Sequence, residues 1–125
     1  MKMSNDKPSF NYFNYDDFKC KETGENKIDV SFVYRLDRLR ALCGFPLVIS
    51  SGYRSPKHSA EVSKPVGSVG QHTLGIAADI LCRDSVQRYK ILDNAFDMGF
   101  TGIGMSKDFI HLDDRVTGVP VVWTY

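Results

Sequence analysis

One carboxylate stands inside a strongly apolar run of this chain. Ile76, Ala77 and Ala78 precede Asp79, and Ile80, Leu81 and Cys82 follow it. A short apolar run of this kind reads as a buried strand. An ionised side chain within such a strand costs several kcal/mol unless it is paired or bound to a metal. The fold therefore has to bring partners to Asp79. A salt bridge to an arginine is one solution. Convergent imidazoles around a metal ion are the other, and His72 lies just upstream, with Gly75 allowing the backbone to turn between them.

A second segment supplies a matching group. In Phe109-Ile-His-Leu-Asp113, alternation puts Phe109, His111 and Asp113 on one face of a strand and Ile110 and Leu112 on the other. A lone histidine there is a core residue. Beside His72 and Asp79 it completes two imidazoles and a carboxylate, the ligand set of a zinc site that keeps one position open. The chain has three histidines, so this constellation uses most of its imidazole. The spacing is not the compact helical H-E-x-x-H signature.

An open zinc site also needs a free carboxylate to take a proton from water. Asp108, three residues before His111, can lean back over the metal, although Ser-Lys-Asp is also ordinary turn chemistry. Asp113 competes with it, or orients the His111 ring from behind. Asp114 reads as exposed or paired with Arg115. Arg54 follows a buried strand in Ser51-Gly-Tyr-Arg-Ser-Pro56. There it either forks onto a substrate carbonyl or carboxylate, or bonds loop carbonyls. His58 reads as a surface residue or one behind the ligands.

The rest of the chain gives the frame. Residues 1–9 read as a polar, poorly ordered start, and 10–125 as one domain. Phe10 to Phe18 mixes aromatics with Asn and Asp, an irregular segment across the core with a short helix at Tyr15–Lys19. Asp29 or Ser31 caps a helix whose stripe is Phe32, Leu36, Leu39 and Cys43, stopped by Gly44 and Pro46. Pro46–Ser51 reads as a strand buried on both faces, and 52–71 as a long functional loop. Ser85 caps a second helix with a buried stripe of Val86, Tyr89, Leu92 with Ile91, and Phe96 with Ala95, ended by Gly99. Phe100–Met105 and Phe109–Asp113 pair across a turn, and Val119–Trp123 is a last strand. Helices alternating with strands give an α+β fold: a small antiparallel sheet with flanking helices.

Composition excludes several classes. With 125 residues and a net charge of +1, there is one core and no electrostatic case for nucleic acid. No apolar stretch is long enough for membrane insertion, and the start has no apolar leader region, so no signal peptide is expected. Cys20, Cys43 and Cys82 are odd in number and widely spaced, which argues against disulfides. Cys43 and Cys82 read as buried thiols, and Cys20 as partly exposed.

Taken together, Ser51-Gly-Tyr-Arg-Ser-Pro56, His72-x-x-Gly-x-Ala-x-Asp79, Gly99-Phe-x-Gly-Ile-Gly104 and Asp108-Phe-Ile-His-x-Asp113 resemble the zinc D-Ala-D-Ala carboxypeptidase family. That family includes phage endolysins and is related to the hedgehog and lysostaphin-type metallopeptidases. The similarity runs from about Phe10 to the terminal Val-Val-Trp-Thr-Tyr. It implies an open cleft floored by the sheet and zinc held by His72, Asp79 and His111. It implies Asp108 as general base and Arg54 as the residue that binds substrate or stabilises the oxyanion. It implies a monomeric peptidase of peptidoglycan peptides. With no leader expected, the enzyme is expected to be made in the cytoplasm and to act at the cell wall after phage-type release or as a virion part; a cytoplasmic enzyme of recycled peptides would look the same. The family's serine two residues before the first histidine is Gly70 here, and its preceding Gly-Gly is replaced by Ser63-Lys64-Pro65. Those changes touch substrate preference and spare the ligands. The competing expectation is a non-catalytic zinc-containing module for cell-wall binding or virion structure. Asp108 argues against it, because a structural site has no use for a spare carboxylate.

Overall fold

The computed structural model describes residues 8–62, 64 and 70–125. Most of the polar start, and Ser63 and Pro65 of the altered loop, lie outside the described residues. Five strands form one sheet: β1 (Val48–Ser51), β2 (Ala77–Leu81), β3 (Gly102–Met105), β4 (Phe109–Asp113) and β5 (Val121–Thr124), in the order β1-β2-β4-β3-β5. Three helices accompany it: α1 (Val30–Cys43), α2 (Ser59–Val62) and α3 (Ser85–Met98), with a 3-10 turn at Tyr15–Phe18. The architecture is α+β, as expected. Neighbouring strands are antiparallel except β3 and β5, which run parallel. Residues 114–120 step over β3, so β5 docks on its far side instead of forming a hairpin with β4.

One face of the sheet is the core. Ala78 and Ile80 of β2, Ile103 of β3, and Ile110 and Leu112 of β4 are buried there. They pack with the α1 stripe of Phe32, Leu36, Leu39 and Cys43, which the sequence spacing predicts. Asp29 caps α1 by accepting from the Ser31 amide, and Gly44 ends it at φ 78°. The aromatic segment before the 3-10 turn is strapped to α1. Buried Asp37 accepts the Asn11 and Tyr12 amides at 3.0 and 2.8 Å, and the Phe13 and Phe18 rings meet edge to face.

Several expectations are corrected. The cap of α3 is Asp84, which accepts from the Gln87 amide, and not Ser85. Of the expected stripe the helix turns Ile91 and Ala95 inward, while Val86, Tyr89 and Phe96 face solvent and Leu92 is only half-buried. Its sequence carries two apolar stripes, and packing against α1 selects the one with the small Ala95. β1 is not buried on both faces: it is an edge strand, with Ile49 inside and Val48 exposed. Cys20 is buried like the other two thiols. The long loop holds the single turn α2.

The opposite face of the sheet carries polar chemistry. Register aligns Ser51, Asp79, His111, Gly104 and Trp123 in one row across all five strands. The neighbouring row holds Ala77, Asp113, Gly102 and Val121. The alternating glycines of β3 clear this face. A Cβ on Gly104 would come within 2.6 Å of the Trp123 indole, and one on Gly102 would collide with the Asp113 carboxylate.

Candidate metal centre

Two ligand candidates are set side by side by the β2–β4 ladder, in which Asp79 and His111 are direct partners. The third arrives on the turn before β2. His72 O accepts the Gly75 amide, and Gly75 sits at φ 79°, a conformation open to glycine. A side chain there would also lie 2.5 Å from Lys27 O, so the turn docks directly on the segment leading into α1. The Gly75 carbonyl completes this docking by accepting the Asp29 amide at 2.8 Å. Asp79 Oδ1 ends 3.0 Å from His111 Nδ1 and 3.4 Å from His72 Nε2. All three residues are buried, and their donor atoms lie within 4.8 Å of one another.

The outward nitrogen of each ring is already spoken for. His72 Nδ1 is 2.8 Å from Gly52 O. A carbonyl only accepts, so Nδ1 carries a proton and Nε2 is the nitrogen turned toward Asp79. His111 Nε2 donates to Asp113 Oδ2 at 2.7 Å, which directs Nδ1 inward. Asp113 is fully buried and held in turn by the Arg115 guanidinium and the Arg115 amide. Two nitrogens and one carboxylate oxygen therefore converge with their orientations fixed from behind. This is the donor chemistry of a divalent metal site, and the outer partners are of the kind that orient metal-bound histidines.

A comparison with known families gives the same answer. The family model described as Peptidase M15 matches residues 11–113. The chain belongs to the Peptidase M15 family. Membership makes it a peptide-bond hydrolase of a metal-dependent kind, and the His72–Asp79–His111 group is its candidate metal site. No curated protein matches the chain significantly.

The remaining predicted residues of this M15 chain sit as follows. Asp108 is at the start of β4, where its carbonyl accepts the Cys82 amide and its carboxylate pairs with Arg83 Nε at 3.0 Å. Both side chains are largely exposed, at 52% and 67%, and Asp108 is not drawn into the ligand cluster. Asp113 orients His111 from behind, and its burial and full set of partners leave it no room to act as a base. Arg54 donates its amide to His72 O, and its guanidinium reaches Glu61 Oε2 and Ser51 Oγ at 3.4 and 3.3 Å. Asp114 pairs with Arg35 at 2.8 Å and not with Arg115. His58 bonds Glu22 and stays out of the ligand group.

Sequence reasoning overlooks two supports. The shielded side chain of half-buried Glu61 on α2 joins Arg54, Lys64 and Thr73. Trp123 lies 5.1 Å from the His111 ring and beneath the Arg115 guanidinium. Alternate glycines in β3 are the available clue to the second, since glycine inside a strand marks a close approach by another group.

The electrostatics follow from this packing. Burial pushes the Asp79 carboxyl up, but hydrogen bonds and charge from His111 and His72 outweigh it and bring it down to about 2. Burial pushes His111 down, and Asp113 and Asp79 more than reverse this, so it rises above its ordinary 6.5. Asp113 is held well below the usual carboxylate range, because His111 and Arg115 overcome its burial.

A pH dependence follows. Without metal, the raised His111 contributes stability that is whole below 6.5 and is lost as pH rises through its higher folded value. Asp79 sets the acid edge: its contribution is whole above 3.8 and fades as pH falls toward 2. A metal held by His111 Nδ1 would have to displace its proton, so uptake is expected to strengthen over the same interval in which the metal-free protein weakens. Calorimetric melting with chelator and with excess zinc, on either side of the His111 value, should show the two trends diverge. Parallel trends would separate His111 from the metal.

Asp113→Asn keeps the shape of the residue behind His111 but loses the charge. It should lower metal affinity about 10- to 100-fold, read by competition with a chromophoric chelator. An unchanged affinity would leave Asp113 with a packing role only.

Proposed function

We propose that this M15 chain is a zinc-dependent peptidase that hydrolyses peptide bonds in peptidoglycan stem peptides, as endolysins do. The observation that carries the reading is the convergence of His72 Nε2, Asp79 Oδ1 and His111 Nδ1 with their outward nitrogens fixed by Gly52 and Asp113. Zinc bound by those three atoms would supply Lewis-acid polarisation of the peptide carbonyl and bring the pKa of a water to roughly 7.

The chain's own residues do the rest. Asp108 takes the proton of the attacking water and passes it to the leaving amine. Its bond to Arg83 is an exposed ion pair of the class worth about 0–1 kcal/mol, so the carboxylate is released at little cost. Arg54 donates hydrogen bonds to the carbonyl oxygen as negative charge develops there. Ser51 and Glu61 fix the guanidinium for that task. Selection among carboxypeptidase and endopeptidase bonds belongs to the shape of the cleft around this centre.

The resting contact of Asp108 with Arg83 favours a second reading, a zinc-containing cell-wall-binding module without turnover. Digestion of purified sacculi with the zinc-loaded protein, followed by mass spectrometry, separates the two. New peptide termini are expected and name the bond. An unchanged digest from a protein with a full complement of zinc would overturn the peptidase reading in favour of binding.

A further inference from the structure

The sheet face that carries the candidate metal centre bears a second row, two residues further along each strand and so about 7 Å away. Val48 pairs with Leu81, and Leu81 pairs with Phe109. Beyond β3, the Phe109 ring meets Tyr125 at a centroid distance of 5.1 Å. Alternation puts Tyr125 on the same face as Trp123, and their rings are 6.3 Å apart. The row runs from β1 to β5, about 19 Å at the usual strand spacing, with the polar Ser106 opposite Phe109 at the end of β3.

It is apolar and open. Val48 is 56% exposed, Leu81 41% and Tyr125 68%, while Phe109 is half-buried between them. On the core side the same strands bury Ile49, Ile80 and Ile110. Adjacent exposed apolar side chains in register on three strands and the following residue form a patch, and a patch of this kind marks a surface that is covered in use. The row is continuous with the metal row through Asp79–Leu81, His111–Phe109 and Trp123–Tyr125. Partial burial of the Tyr125 hydroxyl and the negative charges of Asp79 and Asp113 raise it above its ordinary value, against the opposing pull of Trp123 and Arg54.

We infer that the Val48–Leu81–Phe109–Tyr125 row is the apolar subsite that receives the side chain of the substrate residue beside the scissile bond, with the Tyr125 hydroxyl donating to the peptide backbone. This assignment rests on the reading of the chain as a peptidase of stem peptides. A peptide running along the strand direction over this face would place one peptide group at the metal row and a neighbouring side chain on the apolar row. One residue of extended chain spans about 3.3 Å, so two cover the separation. An apolar floor with one polar donor is the usual make-up of a specificity pocket.

The test uses the full chain loaded with zinc, and soluble stem peptides released from sacculi as the probe. Amide shifts on titration are expected at Leu81, Phe109 and Tyr125. Leu81→Ser and Tyr125→Ala are each expected to weaken peptide binding about tenfold, raising KM with kcat nearly unchanged. Zinc content and melting temperature serve as controls, and Tyr125→Ala, at an exposed position, covers the case in which Leu81→Ser fails to fold. Variants that bind the peptides as the wild type does would overturn the row while leaving the peptidase reading intact. Shifts in the row that depend on protein concentration alone would assign it to a second copy of the chain and overturn the subsite. A wild type that binds none of the peptides would overturn the stem-peptide reading, and the row would lose its proposed occupant with it.

Discussion

His111→Ala is expected to bind no stoichiometric metal and to show no turnover above background. The substitution removes one of three candidate metal donors, and it also takes two N–H partners away from buried carboxylates. Asp79 loses its 3.0 Å contact and Asp113 its 2.7 Å contact. Breaking a buried ion pair from one side typically costs about 3–5 kcal/mol. Here the lower end is expected, because Asp79 keeps His72 and Asp113 keeps Arg115. The variant should therefore still fold, with a lowered melting temperature, and elemental analysis should find it empty. Normal metal content in folded His111→Ala would remove this residue from the ligand set.

Asp108→Ala is expected to do the reverse: full metal content, near-native stability and turnover reduced about 10²- to 10⁴-fold. The position favours a clean experiment, since its only side-chain partner among the described residues is the exposed Arg83. Arg83→Ala provides the companion. If Arg83 merely parks the carboxylate, removing it leaves the rate at or above wild type. A full rate in Asp108→Ala would exclude it as the base. Asp113 would not then inherit the role, because its oxygens are already committed to His111 and Arg115.

Much of this centre is readable from the chain. A charge inside Ile76–Cys82 demands partners, and two-residue alternation in Phe109–Asp113 fixes which side chains share its face. Both arguments depend only on strand geometry, and the β2–β4 register bears them out. The α1 stripe and its Gly44 stop are equally local. What the sequence does not decide is which of two equivalent options packing will select. In α3, Val86, Tyr89 and Phe96 have helical spacing as good as that of the inward-facing residues, and only the neighbouring helix breaks the tie. β1 has the composition of a central strand, but no sixth strand pairs with it among the described residues. The resting place of Asp108 is set by Arg83, a long-range partner that no periodicity announces.

Trp123 is the chain's single tryptophan, and it lies against the His111 ring. An imidazolium next to an excited indole draws charge from it and dims its emission, whereas a neutral, metal-bound imidazole does not. The fluorescence of the unlabelled protein is thus a direct gauge of what occupies His111. Zinc should brighten it, acid should darken it, and a chelator should return it to its starting level. Occupancy can be followed in real time, in cell-wall suspensions as readily as in buffer, with no dye and no substrate.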